Sequence, residues 1–318
     1  VDNPLVTVIM AVYNGQRFLR PAIDSVVGQT FRDLELIVIN DGSTDGTRGI
    51  LESYDDPRMT AVHQDNMGQT AARNKGLALA RGKYIAIQDA DDISLQDRLA
   101  KQVAFLDSNG DCGLLGSWAY VISGDEEIIG TIRPRTSHRG IVASLAFGNQ
   151  FIHSSVMFRD RCVQTLGNYD ETALYAEDYE FALRISSRYR LANLPEYLVK
   201  WRLNAYTGIY CNERAEEKRY ARQVRRKYWP LLLRSSTLAP TTKVLIPLSL
   251  PFTYLRYFFY RDLTHTTLFR NAKRLAYLKA ARSGKKATFI SKATILLRLP
   301  FMNMARYIRR HLMRKEDS

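Results

Sequence analysis

Leu5-Val-Thr-Val-Ile-Met-Ala-Val12 runs straight into Tyr13-Asn14-Gly15. It is apolar except for the β-branched Thr7, and it is bounded by Pro4 and by Asn14-Gly15. That length and composition suit a strand buried on both faces. Phe18, Leu19, Ala22, Ile23, Val26 and Val27 follow at helical spacing, with Pro21 acceptable in a first turn. Leu34-Glu-Leu-Ile-Val-Ile39 is a second strand, and it stops at the turn cluster Asn40-Asp41-Gly42-Ser43-Thr44-Asp45-Gly46. Thr47 to Tyr54 reads as a helix, Met59 to His63 as a strand and Thr70 to Ala80 as an Ala-rich helix. Lys83-Tyr-Ile-Ala-Ile87 is a fourth strand, ending at Gln88-Asp89-Ala90-Asp91-Asp92.

Strands alternating with short helices imply an α/β fold with a mostly parallel sheet. Ligands of such sheets bind beyond the carboxyl ends of the strands. Tyr13-Asn14, Asn40-Asp41 and Asp89 to Asp92 all follow strand ends, so they are expected on one rim. Past residue 110 the pattern changes. Leu114 to Ile122 and Ile128 to Ile132 read as strands joined by an acidic turn, Ile141 to Phe147 as a helix, and Phe151 to Phe158 as another strand. Glu177 to Tyr189 reads as a helix and Arg190 to Leu203 as strand and loop. From Glu213 the chain is basic and expected to be helical, broken by Pro230, Pro240, Pro247, Pro251 and Pro300.

Three acidic clusters could carry chemistry. Asp89 and Asp91 stand two apart, which in an extended segment puts both carboxylates on one side. Paired carboxylates attract a hard divalent cation, Mg2+ or Mn2+, of the kind that bridges protein to phosphate oxygens. Asp is equally the ordinary helix-capping residue. Glu177-Asp178 opens a helix, where the dipole favours acids, and a carboxylate there could act as a general base. Asp41 lies in the Asn-Asp-Gly-Ser turn.

The 318 residues are 46% apolar and 25% charged, which are globular proportions that exclude wholesale disorder. The formal charge of +14 is unevenly spread. Residues 1–200 hold 20 basic and 26 acidic side chains, and residues 201–318 hold 26 basic and 6 acidic. A net of +20 over the C-terminal third points to a polyanion partner, nucleic acid or an anionic membrane surface. Cys112, Cys162 and Cys211 are odd in number and scattered, so they read as packing residues in a reducing compartment. No signal peptide is visible in the opening Val1-Asp2-Asn3-Pro4. Val244 to Tyr260 is apolar but is interrupted by Pro247, Pro251 and Arg256, and reads as interfacial or buried rather than spanning.

Taken in order, several segments resemble the family 2 glycosyltransferases, which have the GT-A fold. They are Val6-Thr-Val-Ile-Met-Ala-Val-Tyr-Asn-Gly15, Gln29-Thr-Phe31 and Glu35-Leu-Ile-Val-Ile-Asn-Asp-Gly-Ser-Thr-Asp-Gly-Thr47. They continue with Asn66-Met-Gly-Gln-Thr-Ala-Ala-Arg-Asn74, Ala80-Arg-Gly-Lys-Tyr-Ile-Ala-Ile-Gln-Asp-Ala-Asp-Asp92 and Glu177-Asp178. The resemblance covers roughly residues 4–205. It implies a GT-A catalytic domain over 1–212 and leaves 213–318 as a basic helical extension.

The resemblance also implies roles. Tyr13 flanks the nucleotide base, Asp41 accepts from base or ribose, and Arg73 lies near base or pyrophosphate. Asp89 contacts the ribose or metal-bound water, and Asp91 ligates the divalent cation. Asp178 is the catalytic base with Glu177 beside it, and His153 lines the acceptor side. Asn204 stands where many relatives carry a metal-ligating His, and Arg202 serves the acceptor side or the diphosphate. The implied reaction is inverting transfer from a nucleotide diphosphate sugar, a UDP-sugar for preference, to a hydroxyl of a glycan or lipid-linked acceptor. That reaction belongs to cell-surface glycan or polysaccharide synthesis at the inner face of the cell membrane.

Two other readings differ at identifiable residues. A sugar nucleotidyltransferase needs a Gly-rich, Arg/Lys-bearing phosphate loop after the first strand, where this chain has Tyr13-Asn14-Gly15. A nucleic-acid-binding protein would use the basic tail, but no helix-turn-helix, zinc-finger or RNP signature accompanies it. Membrane contact is the preferred use of that tail. In residues 287–315, Phe289, Leu297, Phe301 and Ile308 interleave with Lys292, Arg298, Arg306 and Arg310, as in an interfacial helix.

Overall fold

The computed structural model describes residues 3–203 and the helix 214–234. The strands are β1 (Val6–Val12), β2 (Leu34–Asp41), β3 (Met59–Gln64), β4 (Tyr84–Ile87), β5 (Ile93–Ser94), β6 (Cys112–Ile122), β7 (Ile128–Ile132), β8 (Met157–Arg159) and β9 (Arg190–Arg202). The helices are α1 (Leu19–Val27), α2 (Thr47–Glu52), α3 (Gln69–Leu79), α4 (Arg98–Ser108), α5 (His138–Leu145), α6 (Asp160–Leu166), α7 (Glu177–Ile185) and α8 (Arg214–Arg234). All the described strands join one sheet, ordered β3-β2-β1-β4-β8-β6-β9-β5, with β7 paired to β6. The first half is parallel, Val6 standing opposite both Leu34 and Tyr84. β8 enters antiparallel to β4 and β6, while β6 and β9 pair in parallel.

The alternation of β1 explains why both faces are covered. Val6, Val8, Met10 and Val12 pack with Leu19 and Ile23 of α1 and Leu99 and Val103 of α4. Ile9, pointing the other way, packs with Leu77 of α3, Leu145 of α5 and Phe181 of α7. Thr7 is tolerated in this apolar strand because its hydroxyl donates to Glu35 Oε1 at 2.7 Å and accepts from the Gly82 N–H. Cys112 and Cys162 are buried packing residues.

Two expectations differ from the structure. The strand expected over Phe151 to Phe158 is only Met157–Arg159, preceded by a 3-10 turn at His153–Ser155. Ser155 bonds its own backbone, its N–H and hydroxyl both donating to Ile152 O, which bends the chain out of a strand. The break expected at Pro230 is absent, since α8 runs through it to Arg234. A proline so near the C-terminal end removes one helical bond without leaving a long segment to misalign. Val224 of α8 is buried, and Tyr220 and Tyr228 pack partly buried against the same core as α7. Cys211, Val244 to Tyr260 and residues 287–315 lie outside the described residues.

Candidate active site

The rim of the sheet is built from laced loops. Asn14 follows β1 in the left-handed region, φ 51°, as Asn tolerates. Its N–H donates to Ser43 Oγ at 2.9 Å, and its side-chain oxygen accepts from Thr44 N at 2.8 Å. Gln16 and Gly15 tie to Gly46 and Thr47 in the same way. Tyr13 is left 54% exposed at the opening. Asp41 closes β2 and is buried. Its carboxylate accepts from Gln64 Nε2 at 2.7 Å and from the N–H groups of Met67 and Gly68 at 2.9 Å. Asp41 therefore organises the loop into α3. Gly42 is required beside it, since φ is +73° and a Cβ would lie 2.6 Å from Asn66 N.

Asp89 to Asp92 is a turn rather than an extended segment, because Asp92 N–H donates back to Asp89 O at 3.2 Å. Gln88 Nε2 holds it from within, donating to the carbonyls of Asp89 and Asp92. Asp89 is the hub. It accepts from Arg73 Nη2 at 2.8 Å and from Ser154 Oγ at 2.9 Å, and His153 Nδ1 lies 3.4 Å away. Burial opposes its charge, but Arg73, His153 and Ser154 outweigh burial and hold the Asp89 carboxyl below the usual carboxylate range. Asp92 is buried, bonded by Ser154 Oγ and by the Arg202 N–H. Burial, then the charges of Asp91 and Asp89, push its carboxyl well above the usual range. Asp91 is partly exposed on the same turn.

Arg73 joins this turn to α7. It is buried, and its Nη1 donates to Glu177 Oε1 at 2.7 Å. Asp178, next along, is half-buried. It accepts from Asn149 Nδ2 at 2.7 Å and Tyr179 N–H at 2.6 Å. Burial first, and the neighbouring Glu177 charge, raise its carboxyl to about 6, against the pull of His153. The ring nitrogen Nε2 of His153 meets the Tyr169 hydroxyl at 3.1 Å, so His153 bridges Asp89 and Tyr169. Arg202 is fully enclosed, with its guanidinium on backbone carbonyls and Glu126. Asn204 lies outside the described residues.

Tyr13, Asp41, Arg73, Asp89, Asp91, His153, Glu177 and Asp178 thus share one rim. Ser154, Asn149 and Arg98 are additions to it. Arg98 is fully buried beneath the turn, donating to Gln88 Oε1, Ser94 Oγ and the carbonyls of Ile87 and Val156. Its signal was Arg98, Gln102 and Leu106 at i, i+4 and i+8, one helix face. Among the described residues no group of three His, Cys, Asp or Glu encloses a metal. A cation held by one carboxylate and completed by substrate oxygens fits the turn better. Three carboxylates crowd it, and burial first, then the charges of Asp91 and Asp89, raise the carboxyl of Asp92.

The comparisons agree with this geometry. A model of "Glycosyl transferase family 2" matches residues 7–165, half of the chain. An uncharacterised glycosyltransferase of Methanocaldococcus jannaschii is 33% identical over 236 residues, 72% of this chain and 81% of its own length. Among solved structures, TarS from S. aureus in complex with UDP-GlcNAc superposes with a TM-score of 0.58 at 18% identity, over 76% of this chain and 70% of that one. The mannosyltransferase PcManGT from Pyrobaculum calidifontis, in complex with GDP-Man and Mn2+, gives 0.59 at 20% identity, over 96% and 84%. The curled α/β sheet is the GT-A fold, and with the sequence match it shows that the chain belongs to glycosyltransferase family 2.

Proposed function

We propose that this glycosyltransferase moves a sugar, with inversion, from a nucleotide diphosphate sugar to a hydroxyl of a glycan or lipid-linked acceptor in cell-surface glycan or polysaccharide synthesis. The observation that carries the reading is Asp178. It is a half-buried carboxylate raised to about 6, joined to the Asp89 turn through Glu177 and Arg73. A base of that strength is ionised at neutral pH yet basic enough to accept a hydroxyl proton as attack proceeds. Attack from the side of the sugar opposite the diphosphate inverts the anomeric centre in one displacement.

The donor is assigned a place along the rim, with the base near Tyr13 and Asp41 and the diphosphate near Asp91. UDP-sugars are the first candidates, since TarS was solved with UDP-GlcNAc. GDP-mannose, present in PcManGT, comes second. Asp91 would hold a divalent cation, Mn2+ or Mg2+, which when bound neutralises charge on the departing diphosphate. Asn204 would be a further oxygen donor to that cation. Asp89, with Arg73, His153 and Ser154 on its oxygens, orients the turn and faces the ribose side. His153 and Tyr169 line the acceptor side. The basic C-terminal region is assigned to an anionic membrane surface, supported by its net charge of +20.

Thermal unfolding in the presence of UDP-GlcNAc, GDP-mannose and related donors, with and without Mn2+, tests this, because a ligand of the native state raises its stability. A Mn2+-dependent rise with one donor, lost in Asp91→Ala, is expected. An Asp91→Ala protein that turns over normally in EDTA overturns the cation assignment.

A further inference from the structure

Arg202 ends β9 with its side chain fully enclosed, and it reaches three separate segments of the site. Its Nε donates to Asp91 O at 2.7 Å, and its own N–H donates to Asp92 Oδ1 at 2.7 Å. Its Nη1 donates to the carbonyls of Ser123 at 3.0 Å and Gly124 at 3.2 Å, and its Nη2 to Glu126 Oε1 at 3.2 Å. These acceptors belong to the acidic turn between β6 and β7. The ring of Phe18, just past the β1 loop, lies 4.3 Å from the guanidinium carbon, within cation–π range.

A guanidinium has five N–H donors and no acceptor. Four of those donors meet protein oxygens here, and Phe18 covers the plane. Such a group has little left to offer a diphosphate, yet it fixes the main chain at Asp91 from outside while Gln88 fixes the turn from within. Glu126, which completes the fork, sits at φ +64°. That conformation is costly for a residue with a Cβ, and it carries the one carboxylate of the turn that meets Arg202.

We propose that Arg202 is a positioning residue. It clamps the Asp91 turn to the β6–β7 turn and to Phe18, and so presets the Asp91 backbone for the cation and diphosphate without touching either. The proposal rests on the reading of Asp91 as the cation-holding carboxylate. Lysine keeps the charge and stem but not the planar fork, so the conservative change is the informative one.

The experiment compares full-length wild type, Arg202→Lys and Glu126→Gln, using Mn2+ and UDP as probes in titration calorimetry. Amide hydrogen exchange of residues 89–92 and 123–126 is followed without any ligand. Arg202→Lys should bind Mn2+ in the presence of UDP at least tenfold more weakly, while its affinity for UDP in EDTA stays within twofold. Exchange in both turns should quicken at least tenfold. Glu126→Gln, altered at the half-exposed end of the clamp, should show the same pattern at two- to fivefold, and it serves if Arg202→Lys does not fold. Unchanged exchange in both turns overturns the proposal whatever the metal does. A parallel loss of UDP affinity in EDTA also overturns it, since Arg202 would then touch the nucleotide. Quickened exchange in a protein whose wild type binds no Mn2+ with UDP would uphold the clamp and sink the cation assignment instead.

Discussion

The Arg73 guanidinium and the Glu177 carboxylate meet at 2.7 Å across 104 residues of sequence. This contact, with the second one from Arg73 to Asp89, ties α7 to the turn after β4. Burial opposes the Arg73 charge, but Asp89 and Glu177 more than offset it and raise its pKa.

Arg73→Leu takes the guanidinium from the buried Glu177 carboxylate and leaves Asp89 with Ser154 and His153. Breaking a buried pair by removing one partner costs about 3–5 kcal/mol, so the midpoint of urea unfolding should fall sharply. A loss under about 1 kcal/mol, at the scale of exposed pairs, would show that Glu177 and Asp89 find other partners and that the strut is not structural.

Asp178→Asn keeps the shape of the side chain and its bond from Asn149, and removes the proposed base. Turnover should drop by about 10²–10⁴, with donor affinity measured by calorimetry unchanged. Collapse of donor affinity along with turnover would make Asp178 a donor ligand rather than the base.

The pH profile follows from the raised carboxyl of Asp178. The proposed base works when ionised, so kcat/KM should fall tenfold per unit on the acid side of about pH 6. Stability runs the other way. The unfolded chain ionises Asp178 at the ordinary carboxylate value and the folded protein only at about 6. Stability from the neutral form is therefore present below the ordinary value and lost as pH rises through about 6. Asp178→Asn should accordingly raise the melting temperature at pH 7.5 and leave it unchanged at pH 4. A gain of equal size at both pH values would assign the effect to packing.

The basic region should hold the full chain on vesicles containing anionic lipid and not on neutral ones. Each Lys or Arg near such a surface contributes about 1 kcal/mol. Replacing Lys292, Arg298, Arg306, Arg309 and Arg310 with Gln should release the protein to the supernatant in co-sedimentation. Retention of this variant in high salt would mean that apolar insertion dominates, and Val244 to Tyr260 would become the anchor to test.

The half of the fold built on β1 to β4 was legible because β1, β2 and β4 are mostly apolar runs followed within two residues by Asn or Asp. The later half was less so. In Phe151 to Phe158 the apolar pattern hid Ser155, which bonds the local backbone at Ile152, and α6 is too short to show a period. At the site, sequence placed the acids of the rim but not their bonding. The D-x-D spacing argued for an extended pair, whereas Gln88 and Arg202 bend the segment into a turn, through partners that lie up to 111 residues away. Asn149 and Ser154 gave no separate signal, since a lone Asn or Ser is common in any loop.

Helix α8 enters the same interior as α7. Its Tyr228 hydroxyl donates to Glu180, Lys227 reaches Asp170 at 3.0 Å and Arg225 reaches Phe147 O at 3.1 Å. The packing of α7 therefore draws on residues past 212. A fragment ending there would strip the cover from Glu180, two positions past Asp178, and expose the apolar patch that Val224 fills. Grafting a different C-terminal segment, in the laboratory or in evolution, leaves α7 seated only if the splice falls beyond Tyr228.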